Sequence, residues 1–274
     1  MIKLKELELA KEALINGTLT VQEIDADINK GFLRKDFKDT IRNILRKDAK
    51  ILLKKYGSVQ ERLMYDIPYE KKWTSSDGQD KLVAQIFKNK KSFFVELGGD
   101  DGLRKSNTYG LESFLNWEGL VVESRPIFNE SCKKKRKCKC VCETVYSEEK
   151  VVSFDIHTKA GGTSGISGLF DKFSAQSSGH SYFTFTKKLE TIFKENNVPK
   201  SIGYLSMDIE GAEYDALKNF PFDKYNILLI SFEDHEENKN NNKLKNLLIK
   251  NNYRHLTKLR LDDFWILNQE VDND

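Results

Sequence analysis

No stretch of the sequence approaches the roughly 18 consecutive apolar residues of a membrane-spanning helix. The start, "MIKLKELELAKEALI", mixes acids and bases into its apolar residues and lacks the uninterrupted apolar centre of a signal peptide. The expectation is a soluble, cytoplasmic protein with no membrane partner. An excess of one charge sign is also lacking: 45 Lys and Arg against 42 Asp and Glu leave +3, too even a balance to argue by itself for nucleic acid. Cysteine is scarce, and all 4 fall in "CKKKRKCKCVC", Cys132 to Cys142. Zinc sites usually draw a CxxC-type pair from each of two places, so reduced, mostly buried thiols are the expectation. A chain of 274 residues can bury a core without disulfides or metals.

What is present divides into two textures. From Met1 to Tyr65 helix signals recur, beginning with a capping box in "TVQE", Thr20 to Glu23. Leu33, Phe37, Ile41, Leu45, Leu52 and Tyr56 then follow helical spacing, with Arg34, Lys38, Arg42, Lys50 and Lys54 largely off that stripe. This basic face is either a solvated surface of a helix packed on the main domain or a grip for an anionic partner. Turn residues in "DIPYEKKWTSSDGQD", Asp66 to Asp80, mark a linker and divide the chain into a helical extension, 1–65, and a main domain, 66–274.

In the main domain strand-like runs alternate with helical ones: "SFFVELG", "EGLVVES", "CKCVCETVY", "VVSFDIHT", "IGYLSMDI" and "NILLISFED". Such alternation predicts an α/β fold with a parallel sheet wound on both faces and ligands at the carboxyl ends of its strands. The closing pair, "YRHLTKLRL" and "DFWILNQ", is joined by only Asp262 and Asp263 and must be antiparallel. A mostly parallel, seven-stranded sheet ending in an antiparallel hairpin is the Rossmann-like layout of class I methyltransferases.

The glycine turn in "FFVELGGDDG", Phe93 to Gly102, matches neither GxxxxGK[ST] nor GxGxxG. Asp100 and Asp101 would repel a pyrophosphate at that turn, but not a ligand bearing a sulfonium, an ammonium and ribose hydroxyls. S-adenosylmethionine is such a ligand. Glu123 closes the next strand, "GLVVE", about twenty residues on, where an acid accepts ribose hydroxyls.

"FFVELGGDDGLRKSNTYGLESFLNWEGLVVESRP" resembles the opening of the FkbM-type methyltransferases, and "SSDGQDKLVAQIF", "SGL", "YLSMDIEGAE" and "ISFEDHE" resemble later stretches of that family. The resemblance implies methyl transfer from S-adenosylmethionine to oxygen, on a sugar or a glycosylated small molecule. It also implies that Glu96, Gly98, Asp100 and Gly102 form the first cofactor loop and that Ser106, Asn107 and Thr108 hold the methionine carboxylate. By the same resemblance Glu123 is expected to take the ribose and Glu143 to lie beside the adenine amino group.

Asp208 ends an apolar strand at the ligand edge, where an acid needs a partner or a task. Glu210 and Glu213 follow it, and "SFEDHE" brings Glu233, Asp234 and His235 to the end of the next strand. An acceptor alcohol must lose a proton. Asp208 and His235, with Glu210, suit a general base; Asp208 and Asp234 suit magnesium or manganese. Two rivals to a glycan O-methyltransferase remain: an RNA ribose 2′-O-methyltransferase gripping phosphates with the basic helix, and a binding module without turnover. No lysine occurs in "YLSMDIEGAE" or "ISFEDHEE", and the [DN]PPY signature of amine methylation is absent.

Overall fold

The computed structural model describes residues 4–56, 72–157, 164–169, 177–234 and 239–268. The expected boundary between residues 65 and 66 lies outside the described residues, as does His235. Three helices open the chain, α1 (Leu4–Ile15), α2 (Val21–Asn29) and α3 (Phe37–Tyr56). The described strands are β1 (Phe93–Leu97), β2 (Glu118–Val122), β3 (Lys139–Val141), β4 (Thr144–Val145), β5 (Val151–His157), β6 (Ser177–Lys187), β7 (Ser201–Met207), β8 (Asn226–Glu233), β9 (Tyr253–Leu259) and β10 (Asp262–Leu267).

Seven of them form the main sheet in the order β3-β2-β1-β7-β8-β10-β9. The pairs among β3, β2, β1, β7 and β8 are parallel, and β10 runs antiparallel to both neighbours. This is the class I methyltransferase layout. Strand alternation sends Val95 and Leu97 into one core with Ile192, Leu205 and Leu217, and Phe94 into the opposite core with Val83, Leu111 and Cys132. The order reverses between β1 and β7, so the cleft beside their carboxyl ends is where this topology places a ligand.

A second sheet, β4-β6-β5, stands apart, and β5 pairs antiparallel with β6. Strand β6 covers a segment that is absent from the strand-like runs of the sequence. Its signal is non-local, since Phe183 and Phe185 pack against Leu7, Val21, Phe37 and Ile41 of the opening helices. The capping box forms as expected, with Thr20 and Glu23 bonded reciprocally. Along α3 the buried stripe is Phe37, Ile41, Leu45, Ala49 and Leu53, so Leu53 rather than Leu52 continues it at the far end. Of the basic residues beside it, Lys38 pairs with Asp25 and Glu149, Arg42 with Asp39, and Lys50 with Glu130. These pairings, with the buried stripe, describe a packed helix.

The cysteines are all free. Cys132 and Cys140 are buried with their Sγ atoms 3.0 Å apart, and burial holds the Cys142 thiol up at about 12, in its neutral form.

Candidate active site

Strands β1 and β7 touch where they end. Gly98 has φ +84°, and a Cβ there would lie 1.8 Å from the Asp208 carbonyl oxygen; on Gly99 it would lie 2.1 Å from Val121 Cγ1. The Asp208 N–H donates to the Leu97 carbonyl at 3.0 Å. Only glycine permits so close a crossing, which leaves backbone rather than side chain on the cleft floor. The cleft encloses about 1100 Å³ of empty space including its open mouth. Gly98, Asp100, Arg104, Ser106, Glu123 and Arg125 line one side, Val145, Phe154 and Ile166 give an apolar wall, and Asp208, Glu210 and Glu233 line the end.

The first loop is braced from within. Glu96 points away from the cleft and accepts from Ser106 Oγ at 2.9 Å, the Asn107 N–H at 2.7 Å, Thr108 Oγ1 at 2.7 Å and Arg136 Nη1 at 3.2 Å. Arg136 is buried between Glu96 and Glu112, and those carboxylates, with nearby thiols, raise its pKa against the cost of burial. Glu96, expected to touch cofactor, and Ser106, Asn107 and Thr108, expected to face a methionine carboxylate, thus form one hydrogen-bonded group. These groups satisfy each other, and of the trio only Ser106 lines the cleft. Asp101 also turns inward, to Lys135 Nζ at 2.8 Å; burial opposes ionisation, but that bond and the Arg104 and Leu103 N–H groups hold its pKa low.

Glu123 sits at the cleft as expected, 3% exposed, with both carboxylate oxygens engaged by Arg125 and by the Asp100 N–H. Glu143 is drawn off. Its Oε1 takes Lys187 Nζ at 3.0 Å and lies 3.4 Å from Arg46 Nη2, while its neighbours Thr144 and Val145 line the cleft.

At the far end Asp208, Glu210 and Glu233 bring one carboxylate oxygen each within 4.8 Å of one another. The β7–β8 register explains the meeting, because Met207 faces Phe232 and the next residues are Asp208 and Glu233. Asp208 is reached from the cleft mouth yet ringed by protein; desolvation first, then Glu233, Glu213 and Asp262, push its pKa well up. Glu210 is raised in the same way, by desolvation and then Asp208. Glu213, raised to about 6 by burial, accepts from the Ile209 N–H at 3.0 Å and closes the turn rather than lining the cleft.

Asp234 is not part of the cluster, which corrects its assignment as a metal ligand. Strand alternation turns it to the other side, where it accepts from Asn241 Nδ2 at 2.8 Å, Lys245 Nζ at 2.9 Å and Lys258 Nζ at 2.8 Å. The lysines hold its carboxyl down at about 2 despite the opposing effect of burial. Glu233 takes the place expected of Asp234, and the parity of the strand carried that signal. Arg104 and Arg125 were missed, because an arginine four residues past Asp100 or two past Glu123 reads equally well as a solvated charge.

A seven-stranded sheet of this order, with a glycine turn and acids at the strand ends around one cleft, defines a class I methyltransferase. The Methyltransferase FkbM domain matches residues 88–264, and the chain belongs to that family of S-adenosylmethionine-dependent methyltransferases. No curated protein matches the sequence. Among solved structures the chain is similar to a methyltransferase from Pyrococcus furiosus, at 14% identity over 81% of this chain and 95% of that one, with a TM-score of 0.38. It is similar to the N-terminal domain of human METTL16 in complex with SAH at 13% identity, over 82% of each chain, TM-score 0.39. The hMettl16 catalytic domain in complex with the MAT2A 3'UTR hairpin 6 is similar at 11% identity, over 83% of this chain and 82% of that one, TM-score 0.40.

Proposed function

We propose that the protein transfers a methyl group from S-adenosylmethionine to a hydroxyl of a neutral, polyhydroxylated acceptor such as a sugar, with Asp208 taking the proton. The observation that carries this reading is the convergence of Asp208, Glu210 and Glu233 within 4.8 Å. A cluster of carboxylates at the cleft end accepts hydrogen bonds from several hydroxyls at once and repels the phosphodiesters of RNA. The residues also suit the cofactor: the side-chain-free floor at Gly98 and Gly99 admits its backbone, Glu123 stands at the cleft where ribose hydroxyls would lie, and Phe154, Ile166 and Val145 offer an apolar wall for adenine.

When bound, S-adenosylmethionine supplies an electrophilic methyl carbon. The chain's part is to align the acceptor oxygen and to hold its proton. Asp208, with a raised pKa, is a stronger base than an ordinary carboxylate, and Glu210 and Glu233 orient neighbouring hydroxyls. Magnesium or manganese held by the same three carboxylates is the rival way to activate the hydroxyl.

Labelled S-adenosylmethionine offered with oligosaccharides and with RNA tests the acceptor class; methylation of RNA in preference to glycans would overturn it. Asp208→Ala should lower turnover by at least about 100-fold, in the range of a lost general base, while cofactor binding is kept. Activity that survives exhaustive chelation favours the base, and loss restored by magnesium or manganese favours the cation.

A further inference from the structure

Glu123 has no acceptor site left. Oε1 accepts from the Arg125 N–H at 2.8 Å and Nε at 2.9 Å, and Oε2 from the Asp100 N–H at 2.8 Å and Arg125 Nη2 at 3.3 Å. A carboxylate offers about four lone-pair positions, so this one is saturated. Two of the four donors are backbone groups fixed by the glycine turn and the strand end. The other two belong to the Arg125 guanidinium, which occupies the seat that a pair of ribose hydroxyls would need.

We infer that Arg125 is a latch on the ribose seat and a determinant of ligand specificity: a vicinal diol displaces its guanidinium from Glu123, and Asp100 then holds it. This rests on the reading of Glu123 as the ribose acid. The exchange balances, since two O–H donors replace two N–H donors. The guanidinium also has somewhere to remain, because Nη2 already lies 3.2 Å from Asp100 Oδ1 and Cζ lies 3.9 Å above the Phe128 ring. Asp100 is itself anchored by Arg104 Nη2 at 2.7 Å, so the receiving carboxylate stays in place.

Selectivity follows from the count of donors. A ligand with a single hydroxyl removes the guanidinium but leaves a buried lone pair unsatisfied. The latch therefore rejects deoxynucleosides more sharply than an open carboxylate would.

The test is calorimetric titration with S-adenosylhomocysteine of wild type, Arg125→Met, Glu123→Ala and the double variant, after circular dichroism has shown each to be folded. Methionine keeps apolar bulk against Phe128 and removes the fork. It leaves Glu123 under-satisfied in the empty protein, so Arg125→Met should bind about three- to tenfold more tightly. It should also discriminate adenosine from 2′-deoxyadenosine less than wild type does. In the Glu123→Ala background the same substitution should change nothing. If Arg125→Met does not fold, Arg125→Lys, which keeps the charge without the fork, should show a smaller tightening. Weaker or unchanged binding in the folded Arg125 variant overturns the latch, whereas Glu123→Ala binding as wild type overturns the ribose assignment itself.

Discussion

Two buried carboxylates beyond the ends of β7 and β8, Glu213 at the start of the helix Glu213–Leu217 and Asp234 just past β8, carry opposite pH signatures. Glu213 is raised to about 6 in the folded protein, so folding favours its protonated form; the stability it contributes is full below about 4.5 and is lost as pH rises through 6. Asp234 is lowered to about 2 by two lysines, so its contribution is full above about 3.8 and is lost as pH falls toward 2. The Glu213 contribution amounts to roughly 2 kcal/mol, at about 1.4 kcal/mol per pH unit, and that of Asp234 is smaller because solvent screens its part-exposed lysines. Denaturant titrations across pH should show Glu213→Gln removing the decline between about 4.5 and 6, and Asp234→Asn removing the decline between about 3.8 and 2. An unchanged profile in either variant would mean that the carboxylate keeps its ordinary pKa in the fold.

Helix α3 and the second sheet act as one element behind the cleft. Ala49 and Leu53 pack with Phe154, Ile156, Ile166 and Tyr182, and two of these, Phe154 and Ile166, form the apolar cleft wall. Arg46 reaches the Cys142 carbonyl at the same edge. The opening helices thus support the cleft wall although they precede the matched family segment at residues 88–264. Leu53→Ala should cost about 2–5 kcal/mol of stability by leaving a cavity, and it should also weaken S-adenosylhomocysteine binding by loosening that wall. Stability loss with unaltered affinity would show that wall and helix are uncoupled. A steep salt dependence of RNA binding, removed by deleting residues 1–56, would instead make α3 a grip for phosphates.

At the scale of the whole molecule, what the sequence revealed was whatever depends on neighbours along the chain. The alternation of apolar runs with helices, the closing hairpin, Glu123 and Asp208 were legible because each acid ends an apolar strand. Strand β6, Arg136 and the inward turn of Glu96 were not, since each takes its meaning from partners distant in the chain. Glu96 and Arg136 join β1, the loop through Thr108 and the end of the helix Pro126–Lys135 into a single unit. A segment without helix or strand is thereby built to fluctuate no more than the sheet beneath it. In hydrogen exchange, the Asn107 amide, bonded to Glu96 Oε1 at 2.7 Å, should open only with global unfolding, as slowly as amides of β1. Exchange within seconds in the ligand-free protein would instead describe a loop that cofactor orders. Slow exchange means that the ordering entropy of this loop is met during folding, so the cleft meets its ligand already shaped.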